Sequence, residues 1–148
     1  MKLLPIYKWI AGSQTDFTKP FRENEALFKQ AQTFWNKLES WSWLIVLFLF
    51  FFGIMLAIYY YNPHNNMPGR HYTPKHWVLF LIVTFFLTLL VSLGFEYFAI
   101  PPRLDGAFIL ELRIALGNAV YATLLYFIIS WIWCQFKLPT NAYRLIKI

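Results

Sequence analysis

Residues 41–61 read WSWLIVLFLFFFGIMLAIYYY, and no Asp, Glu, Lys or Arg interrupts them. A helix rises about 1.5 Å per residue, so roughly 20 such residues cross a hydrocarbon core about 30 Å thick. Inside a bilayer the backbone has no water to bond, and a helix satisfies its polar groups internally. Two more uncharged runs follow, at 77–95 and 114–136. The sequence therefore predicts an all-α integral membrane protein with three transmembrane helices, at about 41–61, 77–98 and 110–136.

Composition points the same way. The chain has 148 residues, room for a single membrane domain, and is 59% hydrophobic, 22% aromatic and 14% charged. Those values lie outside ordinary soluble usage. The formal net charge of +6 suits anionic headgroups beside membrane helices. Nucleic acid is not expected as a partner, because no basic groove interleaved with free aromatics is evident. Cys134 is the only cysteine, so no intrachain disulfide forms; within an apolar run it reads as a small packed side chain. Residues 1–8, MKLLPIYK, do not read as a signal peptide, since Pro5 and Lys8 interrupt the apolar run.

The N-terminal segment, 1–40, divides in two. Gly12, Ser13, Thr15, Asp16, Thr18 and Pro20 mark residues 12–22 as a loop. From about 23 to 40 the apolar residues Leu27, Ala31, Phe34, Trp35 and Leu38 recur at helical spacing, with Glu25, Lys29, Gln30, Asn36 and Lys37 between them. This is an amphipathic helix leading into the first span. Its face of Leu27, Phe34, Trp35 and Leu38 is expected to bury against the membrane interface or a partner. Residues 137–148 form a short C-terminal tail.

Aromatic residues cluster at the span boundaries. Trp41 and Trp43 open the first span and Tyr59, Tyr60 and Tyr61 close it; Trp77 opens the second, Tyr97 lies near its end, and Trp131 and Trp133 come late in the third. Such rings favour the headgroup level. Three crossings place Trp41 and Tyr97 on one face, and Tyr59–Tyr61, Trp77 and Trp133 on the other. Basic residues number eight on the N-terminal face and five on the opposite one, which favours a cytoplasmic N-terminus; without the distant Lys2, Lys8 and Lys19 the count is five against five.

Span two carries a polar stripe, Thr84, Thr88, Ser92 and Glu96, each four apart. Span three carries Glu111, Ala115, Asn118 and Ala122 on one face. The connection IPPRLDG, 100–106, reads as a turn. An antiparallel hairpin there brings Glu96, Glu111 and Arg113 toward one level. Two readings compete. Ionisable groups at membrane depth mark ion or proton paths. Hydroxyls, Asn and small residues also hold membrane helices together. Packing is preferred, because most of these residues lie near span ends. Gly53 and Ala57 form a small-xxx-small pair in span one and are expected to admit one close neighbour.

All three histidines, His64, His71 and His76, fall in the first loop. Imidazole binds zinc, but the loop has no Asp, Glu or Cys beside them, and a stiff proline-shaped loop is the preferred reading. No cofactor is expected. No Gly-rich phosphate loop, nucleophile triad or paired-carboxylate pattern occurs, so no enzymatic activity is expected. The favoured function is a small structural or assembly subunit of a larger integral-membrane complex, such as a secretion or respiratory envelope assembly. Its partners would be the lipid bilayer and other membrane subunits. The alternative is a homo-oligomeric channel, a holin-like pore or a proton-path subunit using the polar hairpin of spans two and three.

Overall fold

Asn24 starts the longest helix. Its Oδ1 accepts from the backbone N–H of Ala26 at 3.1 Å and of Leu27 at 3.3 Å, satisfying two donors that a helix start leaves unpaired. The computed structural model describes residues 4–65, 67 and 74–136. Two short helices, α1 (Lys8–Ala11) and α2 (Gln14–Thr18), precede α3 (Glu25–Tyr59). The π-helical turn Tyr60–His64 follows, then α4 (Pro74–Ala99) and α5 (Ala107–Phe136). Among the described residues there is no strand. The three long helices are each long and apolar enough to cross a membrane, which makes this an all-α, multi-pass membrane protein.

α3 passes unbroken through the junction expected near residue 40. No glycine or proline lies between residues 25 and 52 to stop it. Ser40 and Ser42 turn their hydroxyls back onto the carbonyls of Lys37 and Glu39, each at 2.7 Å. The amphipathic stretch and the first span are thus one helix of 35 residues, about 52 Å long. It ends where Pro63, lacking an N–H, enters the backbone ladder. There the Asn65 N–H reaches back five residues to Tyr60 O at 3.1 Å.

The contacts divide among two compact units, each drawing on all three long helices. The first joins the described residues of Met1–Phe48 to Leu89–Asn118; the second joins Leu49–Thr88 to those of Ala119–Ile148.

In the first unit, residues 14–21, within the stretch expected to be a loop, are helical. Ser13 Oγ accepts from the Asp16 N–H at 3.3 Å, and Asp16 Oδ2 accepts from the Ser13 N–H at 3.2 Å. This reciprocal cap starts α2 at a Ser-x-x-Asp spacing. The Ser13 hydroxyl, which donates to Asp16 Oδ2, and then the Ser13 N–H hold the Asp16 carboxyl below the ordinary aspartate value. α2 then places Phe17 against Phe34 at 5.6 Å and Trp35 at 5.9 Å between ring centroids. Phe34, Trp35 and Leu38 are buried within the chain itself, while Leu27 stays 39% exposed. The membrane interface or a separate partner was the expected cover; at Phe34 and Trp35, Phe17 of the chain's own N-terminal segment packs there. Trp41 and Phe48 pack edge-on against Phe95.

In the second unit, Ala57, Tyr60, Tyr61, Trp77, Tyr126 and Cys134 form a buried aromatic-rich cluster. Tyr61 stacks on Trp133 at 5.4 Å, and Trp77 meets Tyr126 at 5.8 Å. Tyr60, Tyr61 and Trp77 therefore pack inside the protein. Trp41, Trp43, Tyr59, Tyr97 and Trp131 are the boundary aromatics left exposed.

Candidate functional site

Asn118 organises the first unit. Its Oδ1 accepts from the Tyr7 hydroxyl at 2.7 Å. Its Nδ2 donates to the Ile45 carbonyl at 2.9 Å and to Ser92 Oγ at 2.6 Å. One amide on α5 is thereby tied to the N-terminal segment, α3 and α4. Tyr7, Ser92 and Asn118 have no exposed surface. An amide left unpaired away from water costs roughly 1–3 kcal/mol by mutational measure, so these bonds fix the register of all four segments. Gly117 faces the same segment: a Cβ there would stand at ordinary van der Waals contact, 3.4 Å from Tyr7 Cδ1 and 3.5 Å from Ile10 Cγ2.

The face of α4 that carries the stripe is fully enclosed: Thr84, Thr88, Ser92 and Glu96 show no exposure. Their bonding differs. Thr84 donates to Phe80 O one turn back, at 2.8 Å, as hydroxyls in apolar surroundings commonly do. Ser92 joins the Asn118 network. The Thr88 hydroxyl and both Glu96 carboxyl oxygens find no partner among the described residues.

The end of the hairpin holds a set of charges different from the expected one. Glu96 and Glu111 are both buried and act on each other electrostatically. Arg113 does not join them, because its position on α5 places it on the exposed face. The basic group that acts on Glu111 is Arg103, from the connecting turn. Arg103 donates to Tyr97 O at 2.8 Å and lies 3.4 Å above the Tyr97 ring centroid. Sequence spacing did not single out Arg103 or Tyr7. A basic residue after two prolines, six positions beyond a tyrosine, was the available signal for Arg103; Tyr7 sits in no periodic pattern.

In the second unit, α3 and α5 meet at the glycine. A Cβ on Gly53 would lie 2.9 Å from the Ala122 carbonyl oxygen and 3.1 Å from Leu125 Cδ2. Gly53, Ala57 and Ala122 are buried there, and Ala115 is buried in the first unit. Trp77 Nε1 donates to Ser130 Oγ at 3.1 Å, and the Tyr61 hydroxyl lies 3.6 Å from Cys134 Sγ. His64 and His76 face each other edge-on at 5.4 Å, with His64 packed against Phe80. His71 lies outside the described residues, among which no group of three His, Cys, Asp or Glu residues is placed to hold a metal.

Asn118, Ser92, Thr84 and Ser130 spend their hydrogen bonds on neighbouring segments or their own backbone, and no base adjoins a nucleophile among these contacts. No protein-family model, curated protein or solved structure matches the chain.

Proposed function

We propose that the chain is a structural or assembly subunit of a larger integral-membrane complex, without catalysis of its own. The observation that carries this reading is Arg113. It lies six residues into a membrane-spanning helix, on an exposed face shared with Ile109, Leu112 and Leu116. Among the described residues it makes no ion pair. A charge at that depth is costly unless it is paired or reaches the interface. An acidic group on a neighbouring subunit would pair it, and the large side chains Phe50, Phe86, Leu90 and Leu124, all more than half exposed, would pack against that neighbour or lipid. The inward use of Asn118 and Ser92 supports the packing role over a water-filled pore.

Purification of the full chain in mild detergent, with mass identification of co-purifying chains, tests this reading. A stoichiometric membrane partner is expected, with Arg113→Ala weakening its retention while the chain stays folded. A lone chain, or retention indifferent to Arg113→Ala, contradicts it. Within this reading the N-terminus lies on the cytoplasmic side and the C-terminus across the membrane. Cysteines placed at Ser13 and at Met67 in a Cys134→Ser background should label from opposite sides.

A further inference from the structure

Among the described residues of the first unit, Glu96 is the one whose fully enclosed side-chain polar atoms have no hydrogen-bond partner. Asn118 has three bonds, and Ser92 and Tyr7 share them. Glu96 has none: both oxygens are enclosed and no described donor reaches either. A carboxylate has about four lone-pair sites to fill, and an enclosed, uncompensated one is strongly disfavoured. Its place in the chain worsens this. Glu96 lies in the last turn of α4, which ends at Ala99, where the helix dipole presents partial negative charge. Glu111 adds a further negative group from α5. Among the described residues Glu111 is the one charged group acting on Glu96, and no charged group of α3 or the N-terminal segment does so. Every local field at Glu96 thus asks for positive charge, and the chain supplies none directly.

Glu111 is situated differently. It lies near the start of α5, which begins at Ala107, where a helix favours a carboxylate. It is 5% exposed and acts electrostatically with Arg103 on the exposed turn. The order from surface to interior is Arg103, Glu111, Glu96.

We propose that Glu96 anchors an internal cation-binding site at the hairpin end of α4 and α5, its ligand a proton or an alkali cation, with Glu111 as the group through which the cation reaches the surface. Binding forms an O–H bond on a Glu96 oxygen, or an oxygen–cation contact, and release returns the same cation; no other bond changes. The site stands whether or not the chain is a subunit of a larger assembly.

Infrared difference spectroscopy of the full chain in lipid nanodiscs tests it, with protons and Na⁺ as probes. The wild-type protein should show a carboxyl band that titrates with pH and is absent in Glu96→Gln. Glu111→Gln should keep the band and move its midpoint. Replacing choline chloride with NaCl at constant ionic strength distinguishes the ligands: a moved midpoint assigns an alkali cation, and an unmoved one assigns the proton. Circular dichroism and size exclusion establish that the variants fold. Should Glu96→Gln fail to fold, Glu96→Asp replaces it, and the band should shift in frequency. The proposal is overturned if the band is unchanged in the Glu96 variant, or if no wild-type band responds to pH or to Na⁺ between about pH 4 and about pH 10, the span over which carboxyl groups in proteins titrate.

Discussion

The Tyr7 hydroxyl donates to Asn118 Oδ1 at 2.7 Å across 111 positions of sequence. That bond pins a segment that precedes the first span onto the middle of the last one. Because Asn118 also serves Ile45 and Ser92, its two possible losses differ in weight. Asn118→Ala removes three buried hydrogen bonds at once, to Tyr7, Ile45 and Ser92, and should lower stability by roughly 1–3 kcal/mol. Tyr7→Phe removes one bond and should cost about 0.6 kcal/mol, the average for hydrogen bonds between membrane helices. Thermal unfolding in one detergent, read for both variants, checks the order. Equal effects would mean that Asn118 does not act as a shared hub.

Two glycines offer a matched test of close packing. A Cβ at Gly53 meets the Ala122 carbonyl oxygen at 2.9 Å, whereas one at Gly94 meets nothing within 4 Å. Backbone cannot step aside as a flexible side chain can. Gly53→Ala should therefore destabilise by about 1–3 kcal/mol through overpacking. Gly94→Ala should be neutral or gain up to about 1 kcal/mol from helix propensity. Ala115→Leu, at a fully buried position, should behave like Gly53→Ala. Comparable melting of the Gly53 and Gly94 variants would remove the basis for a tight α3–α5 contact.

The three spans were legible because length and lack of charge suffice to mark a membrane helix, whatever its neighbours. The stripe of α4 was legible as a face because four-residue spacing is a local property. Thr84 is satisfied locally, by Phe80 one turn back, but whether Ser92 and Glu96 are satisfied is not a local matter. Ser92 is bonded only because Asn118, 26 residues on, reaches it, and Glu96 is unsatisfied only because nothing does. The same distinction explains the aromatic boundary. Tyr59 and Tyr60 are neighbours of one type and both lie against Phe80, yet Tyr59 is 44% exposed and Tyr60 not at all, since Tyr60 is also packed between Tyr61 and His64. The helix at 14–18 could have been read from Ser13 and Asp16, whose spacing is a cap signature; Gly12 and Pro20 outweighed it. Arg113 was matched to Glu96 by level along the hairpin, but the angular position of residue 113 on α5 sends it outward.

The N-terminal cover of α3 predicts a graded response along one helical face. Phe34 and Leu38 are fully buried, and Phe34 lies against Phe17; Leu27 keeps 39% of its surface. Phe34→Lys and Leu38→Lys each place an unpaired charge in this packing and should destabilise the isolated chain by more than about 2 kcal/mol, the scale of uncompensated burial. Leu27→Lys should stay within about 0.5 kcal/mol, as surface changes usually do. The measurement is made without any partner present, because the cover is internal. If Phe34→Lys melted like wild type and lost only its association with other chains, α2 would not be what buries this face.

The cap of α2 carries a pH dependence whose sign follows from its bonds. Ser13 donates to Asp16, and this holds the Asp16 carboxyl below its ordinary value of 3.8 in the folded chain. A carboxyl depressed on folding adds stability that is present above the unfolded value. That contribution fades as pH falls through the lower folded value, where the ionised acceptor is lost. The α2 cap should accordingly hold at neutral pH and loosen only in acid, below about pH 4. Asp16 is exposed, so the effect belongs to local opening of residues 14–18 and not to the stability of the spans. Hydrogen exchange of the Phe17 and Thr18 amides against pH, corrected for intrinsic exchange, should show protection falling in that acid window. Asp16→Asn should give weaker protection with no such window, since the amide does not titrate, and Ser13→Ala should weaken protection at every pH. A wild-type profile flat through the acid range would mean that the Ser13–Asp16 cap does not secure α2 against α3.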